Sequence, residues 1–230
     1  MQYFLDDEVG FVRVIDYMGS DLTAVNAARA SFNKQKETLD SKDERLIKFL
    51  AEAEPAHTTP FRHAMITFQV KAPLFVARQW QKHLVGCEWS HEQYKDAPWS
   101  EQSGRYIEYD GYWKPKYFRI AAENKKQGSI DTTHPNSLFW LGKYEDLMQA
   151  QIDLYNDMVE DGIAPEQARA MLGMAMYTNF YWTASFQAVA HFVNLRDHEE
   201  AQQEIKKYAH IIGGIMEQLW PKTWQHRRRL

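Results

Sequence analysis

Cysteine is almost absent from this chain of 230 residues: Cys87 is the single one. An internal disulfide framework is therefore excluded, a cysteine-rich metal site with it, and the usage fits a reducing compartment. No apolar run approaches the roughly 18 residues of a membrane-crossing helix. The first residues, Met1 to Glu8, are acidic and lack the basic-then-apolar layout of a secretory leader, so a cytoplasmic protein is expected. Positive charge is not in excess either. Lys and Arg number 27 against 31 Asp and Glu, a net charge of -4, which argues against duplex nucleic acid as the main partner.

What is abundant is aromatic: 8 Trp, 12 Tyr and 12 Phe, more rings than surface chemistry needs. Most must be core or interface, with some available to stack on a planar heterocycle. No internal repeat or clean boundary divides the chain, and the reading is one domain over residues 1–230.

Phe11 to Met18 is rich in β-branched and aromatic residues and reads as a strand, stopped by Gly19-Ser20-Asp21. Ser20 or Asp21 caps a helix through Leu22, Val25 and Ala28. Asp43 to Ala53 reads as a helix with Leu46, Phe49 and Leu50 on one face. Met65 to Lys71 alternates as a strand, and Pro73 opens a helix carrying Phe75, Val76 and Trp80. Residues 85–100 and 109–135 read as irregular. Leu138 to Glu160 is an amphipathic helix, and Pro165-Glu166 opens another. A last helix is expected from Asp197, capped there with Glu200 reaching back, with Ile205, Tyr208, Ile212 and Ile215 along its stripe. The fold class is α+β, helix-rich with a small antiparallel sheet, strands early and helices late. The basic tail Gln225 to Leu230 reads as a solvated terminus.

The stretch from Arg78 to Tyr106 has no use in a core. It begins with Arg78-Gln79-Trp80-Gln81-Lys82-His83 and ends with Glu101-Gln102-Ser103-Gly104-Arg105-Tyr106. Arginine, serine and exposed amides beside a glycine suit a phosphate: bidentate donors, hydroxyl donors and a close backbone approach. Arg169 and, further on, His191, Asn194 and Arg196 also lie in apolar surroundings, where a charge must be paired or face a ligand. A phosphorylated, planar substrate would satisfy these groups. His57, His63, His83 and His91 lack the tight spacing with a carboxylate that a metal site needs, so no metal is expected. Cys87, between glycine and glutamate with no adjacent base, reads as incidental rather than as a nucleophile.

Taken in order, these pieces resemble the flavin-dependent thymidylate synthases. They are Gly10 to Gly19, Ala27 to Ser31, His57-Thr-Thr-Pro-Phe-Arg-His63, Phe68 to Trp80, Glu101-Gln-Ser-Gly-Arg-Tyr106, Asn194-Leu-Arg196 and Ala201 to Ile205. The resemblance implies reductive methylation of dUMP to dTMP, with 5,10-methylenetetrahydrofolate as carbon donor, FAD as cofactor and NADPH as reductant. It also implies a homotetramer with shared active sites. On the positions that match, Arg196 would act beside the uracil ring. Gln79, Lys82, Ser103, Gly104, Arg105 and Arg169 would complete the dUMP site. His57, Thr59, Lys82, His83, Glu101, Ser185, Gln187 and His191 would lie along FAD.

Several positions depart from the family pattern. Lys82-His83-Leu84 stands where the family signature reads Arg-His-Arg, and an inserted loop follows at about 86–98. Ser185, Gln187 and His191 stand where the family carries other side chains against the flavin. A hydroxymethylating enzyme acting on dUMP or dCMP, or a non-catalytic nucleotide-binding relative, are the alternative readings.

Overall fold

A computed structural model describes residues 1–87, 89–90, 95–103, 111–123 and 128–230. The chain opens with an antiparallel pair, β1 (Gln2–Phe4) and β2 (Phe11–Met18). Gly19 turns the chain at φ 91°, a conformation that a side chain disfavours, and delivers Ser20 as the cap of α1 (Asp21–Arg29). Helix α2 (Ser41–Glu52) follows, then β3 (Met65–Pro73) and α3 (Leu74–Trp80). The short strands β4 (Trp89–Ser90), β5 (Lys95–Asp96) and β6 (Trp99–Glu101) lead to a hairpin of β7 (Arg119–Ala121) and β8 (Ser129–Thr133). Next come α4 (Ser137–Glu160), α5 (Pro165–Ala168), β9 (Tyr177–Ser185), α6 (Phe186–Arg196), α7 (Gln203–Leu219) and α8 (Pro221–Trp224).

One five-stranded antiparallel sheet, in the order β1-β2-β3-β9-β6, forms the frame. Its inner face follows from the period of two. Ile66, Phe68, Val70 and Ala72 of β3 and Phe180, Trp182 and Ala184 of β9 are all buried. Trp80 of α3 packs onto this face among Phe180, Trp182, Phe192 and Tyr208, at ring-centroid distances of 4.4 to 5.8 Å. The outer face is polar at its centre, where Thr67 and Thr183 share a hydrogen bond of 2.9 Å.

The α+β reading holds, but the order of elements differs from the expected one. The sheet's central partner for β3 is the late strand β9, which runs without a break into α6. Residues 109–135 carry the β7–β8 hairpin, and Trp99–Glu101 is a sheet strand. Asp197 does not start the last helix. It terminates α6, its N–H donating to Val193 O at 2.8 Å, and α7 begins only at Gln203. The expected stripe of α7 is buried at Ile205, Tyr208, Ile212 and Ile215.

In α2 the inner face is Asp43, Ile47, Leu50 and Ala51, so Phe49 points outward at 59% exposure. The offset arises because Asp43 is buried by its ion pairs with Arg29 (2.7 Å) and Lys36. Burial pushes its carboxyl up, but the hydrogen bonds from Lys36, the Asp40 backbone and Arg29 outweigh this and hold it at about 2, against the usual 3.8. A carboxyl depressed in this way stabilises the fold above its unfolded value and loses that contribution as pH falls. Acid unfolding should therefore steepen between about pH 4 and pH 2, and Asp43→Asn should flatten that limb when followed by circular dichroism.

The tail is solvated only in part: Gln225, Arg228 and Arg229 are exposed, but the rest is packed. Arg227 stacks on Trp224 at 4.4 Å, its carbonyl accepts from Asn194 Nδ2 at 2.9 Å, and Leu230 is buried. No helix among the described residues is long and apolar enough to cross a membrane.

Candidate active site

Helix α3 is short because strand β3 feeds straight into it through Pro73, and its inner side is anchored by Val76, Ala77 and Trp80. That anchoring turns Arg78, Gln79 and Gln81 away from the core. Arg78 Nη1 and Gln81 Nε2 both donate to Glu101 Oε2 at 3.3 Å, and Trp99 Nε1 reaches the same oxygen at 3.2 Å. Thr178 Oγ1 donates to Glu101 Oε1 at 3.0 Å. Four donors from three elements and a turn thus fix one carboxylate at the edge strand β6.

Beside this lies the end of α6. Arg196 Nη2 donates to the carbonyl of Gln79 at 3.3 Å, while its Nε is buried with no partner among the described residues. His83 is 3% exposed and neither ring nitrogen has a hydrogen-bond partner among the described residues. Its ring meets that of His191 at 5.3 Å and that of Phe192 at 5.1 Å. Burial first, then the charges of His191 and Arg196, push the His83 imidazole down from 6.5 to about 3. It is therefore neutral at physiological pH, a base or donor that no described residue uses. A nuclear magnetic resonance titration should find His83 neutral from pH 8 down to pH 5; protonation above pH 5 would contradict this placement. The unfolded chain takes up that proton near 6.5, so the contribution of neutral His83 to stability is lost as pH falls from there towards 3.

Apart from this cluster, a cleft of about 300 Å³ is lined by Ser31, His57, Thr59 and His63. His57 stacks on Phe49 at 5.6 Å, which gives the outward Phe49 a partner. Arg62 links this cleft to the first turn of α6, its Nε donating to Gln187 Oε1 at 2.7 Å and its Nη2 to Thr58 Oγ1 at 3.3 Å.

The expected site residues thus divide. Gln79, His83, His191 and Arg196 form one contact chain, with Glu101 held at its side. His57 and Thr59 share the separate cleft. Ser185 caps α6 through Ala188 N at 3.1 Å and donates to Val85 O, and Gln187 is buried against Arg62, so both side chains are committed to the fold. Lys82 is exposed. Arg169 sits on a 3-10 turn, Arg169–Met171, packed against α4, and no hydrogen bond among the described residues joins it to the cluster. Ser103 lies just beyond β6, while Gly104, Arg105 and Tyr106 lie outside the described residues, as do His91 and Tyr94 of the inserted loop. Cys87 Sγ accepts from the Ser185 backbone N–H at 2.8 Å, a structural use.

Sequence reasoning missed Arg62, Thr178 and Gln202, whose partners lie far away along the chain. No group of three or more His, Cys, Asp or Glu able to hold a metal occurs among the described residues. A larger cavity, about 640 Å³, lies between Asp7, Tyr177 and Lys207, but its cations are already paired: Lys207 with Asp6, Arg119 with Glu204.

A family model described as thymidylate synthase complementing protein matches residues 13–222. The flavin-dependent thymidylate synthase of Thermosipho africanus is 38% identical over 230 residues, covering 98% of this chain and 93% of the relative. That of Thermotoga neapolitana is 35% identical over 222 residues, covering 94% and 89%. Among solved structures, a UMP/dUMP methylase, PolB from Streptomyces cacaoi bound with 5-Br dUMP, superposes with a TM-score of 0.79 at 26% identity. It covers 94% of this chain and 93% of that one.

Proposed function

The chain belongs to the flavin-dependent thymidylate synthase family, and from that membership we propose that it methylates dUMP to dTMP at the cluster around Arg196. The observation that carries this is a pair of polar groups with no hydrogen-bond partner among the described residues: the buried Arg196 Nε and the neutral ring of His83. Polar atoms buried without partners are costly, and a heterocycle seated among them would relieve that cost.

Arg196 is the residue we assign to activation. A guanidinium beside the pyrimidine favours loss of the N3 proton and stabilises the resulting anion, which raises electron density at C5 without a covalent bond to the protein. Because His83 stays neutral, it adds no competing cation. Gln79 would hold the nucleoside, and Ser103, Gly104 and Arg105 its phosphate. Arg169 and Lys82 would reach it in the assembled protein.

The residues fit a flavin as well: His83 and His191 offer ring nitrogens, Glu101 a fixed carboxylate, and the cleft of His57 and Thr59 a polar seat. When bound, FAD supplies the hydride-carrying capacity of the reaction, with NADPH as reductant and methylenetetrahydrofolate as carbon source. Self-association as a homotetramer is part of this reading. The exposed apolar face of α4, with Leu138 at 84% and Phe139 and Trp140 above half exposed, needs a cover, and Arg169 needs a partner site.

Purified protein should be yellow, and its flavin absorption bands should shift when dUMP is added. A colourless protein that takes up no added FAD would overturn the reading.

A further inference from the structure

Gln79 is gripped at both ends by the connection between α6 and α7. Its main-chain carbonyl accepts from Arg196, and its side-chain Nε2 donates to Gln202 Oε1 at 2.7 Å. The same Nε2 donates to the Phe75 carbonyl at 3.1 Å. A carbonyl only accepts, so the Phe75 contact determines which end of the Gln79 carboxamide is nitrogen. That in turn requires Gln202 to present its oxygen. Both amide hydrogens of Gln79 are then in use, and Oε1 is what remains for a ligand.

Gln202 is the N-cap residue of α7, yet its side chain makes no cap hydrogen bond. Its backbone carbonyl accepts from Lys206 N at 3.0 Å, which holds the residue in place. The side chain is directed instead to Gln79, 123 positions away in the sequence.

We propose that Gln202 is a positioning residue for nucleotide recognition. By holding the donors of Gln79 it leaves a pure acceptor in the site, which selects a nucleotide that presents a sugar hydroxyl there. This rests on the placement of Gln79 in the dUMP site given above.

The test is calorimetric titration of dUMP and its 3′-deoxy analogue into the flavin-loaded protein and its Q202L, Q202E, Q79L and Q79L/Q202L variants. Q202L should weaken dUMP binding about three- to tenfold, the scale of one hydrogen bond. Q202E, whose carboxylate also accepts, should restore it. The double variant should bind no more weakly than Q79L alone. The 3′-deoxy analogue should bind more weakly than dUMP to the unaltered protein, and that difference should shrink in Q202L. Since Q202L removes no cap bond from α7, it should keep the melting temperature of the parent. Unchanged affinity in Q202L, no recovery in Q202E, or additive losses would overturn the inference alone. No dUMP binding by the unaltered, flavin-loaded protein would instead overturn the reading of the site, and the inference with it.

Discussion

Arg196→Ala should lower dTMP formation by roughly 10²- to 10³-fold in kcat, the usual cost of removing one preorganised charge donor from a reacting centre. The magnitude follows from where the group sits. Arg196 is half-buried, with its Nε shielded from water, so water cannot substitute for it. Arg196→Lys should fall nearly as far, because an ammonium cannot contact Gln79 O and the substrate through a planar fork at once. Fold integrity is expected to survive, since the only hydrogen bond lost among the described residues is the 3.3 Å contact to Gln79. Steady-state kinetics beside circular dichroism separate the two effects. A folded Arg196→Ala protein with unchanged kcat would remove Arg196 from the chemistry.

The second large effect is on stability. Trp80→Ala should cost about 3–5 kcal/mol, as large-to-small changes in a packed core do. Its indole is fully buried against Phe192 at 4.4 Å and against Phe180, Trp182 and Tyr208. One term works the other way: the buried Trp80 Nε1 has no partner, and truncation relieves that penalty. The value should therefore lie at the lower end of the range. For a chain of this length that corresponds to a drop in melting temperature of roughly 6–12 °C. Trp80→Phe, which keeps most of the stack and also removes the orphan N–H, should lose far less. Equal losses in the two variants would show that packing is not what holds this position. Because Trp80 sits on the same short helix as Gln79, its removal should also weaken dUMP binding.

Much of the frame was legible in the sequence where a period was strong. Strand β2 is rich in β-branched and aromatic residues, β3 alternates, α1 carries its serine cap, and the stripe of α7 recurs at helical spacing. The strand β9 and helix α6 were not legible. In β9 the outward Tyr181 is as aromatic as the inward Phe180 and Trp182, which hides the period of two, and in α6 Phe186 to Ala190 are all buried, so no period of 3.6 stands out. The rotation of α2 was misjudged because a buried, ion-paired aspartate counts as a surface residue in any hydropathy pattern. In the site, Arg196 and His191 stood out as polar groups in an apolar run. The roles of Ser185 and Gln187 were not visible, because their partners Val85 and Arg62 lie about a hundred residues or more away along the chain. The same holds for Gln202.

The most direct test of the central claim is anaerobic incubation of the protein with dUMP, methylenetetrahydrofolate, FAD and NADPH, followed by mass identification of the nucleotide. The expected product is dTMP, formed only when dUMP, methylenetetrahydrofolate and NADPH are all supplied to the flavin-loaded protein. Recovery of 5-hydroxymethyl-dUMP as the product, or of unchanged dUMP, would contradict it.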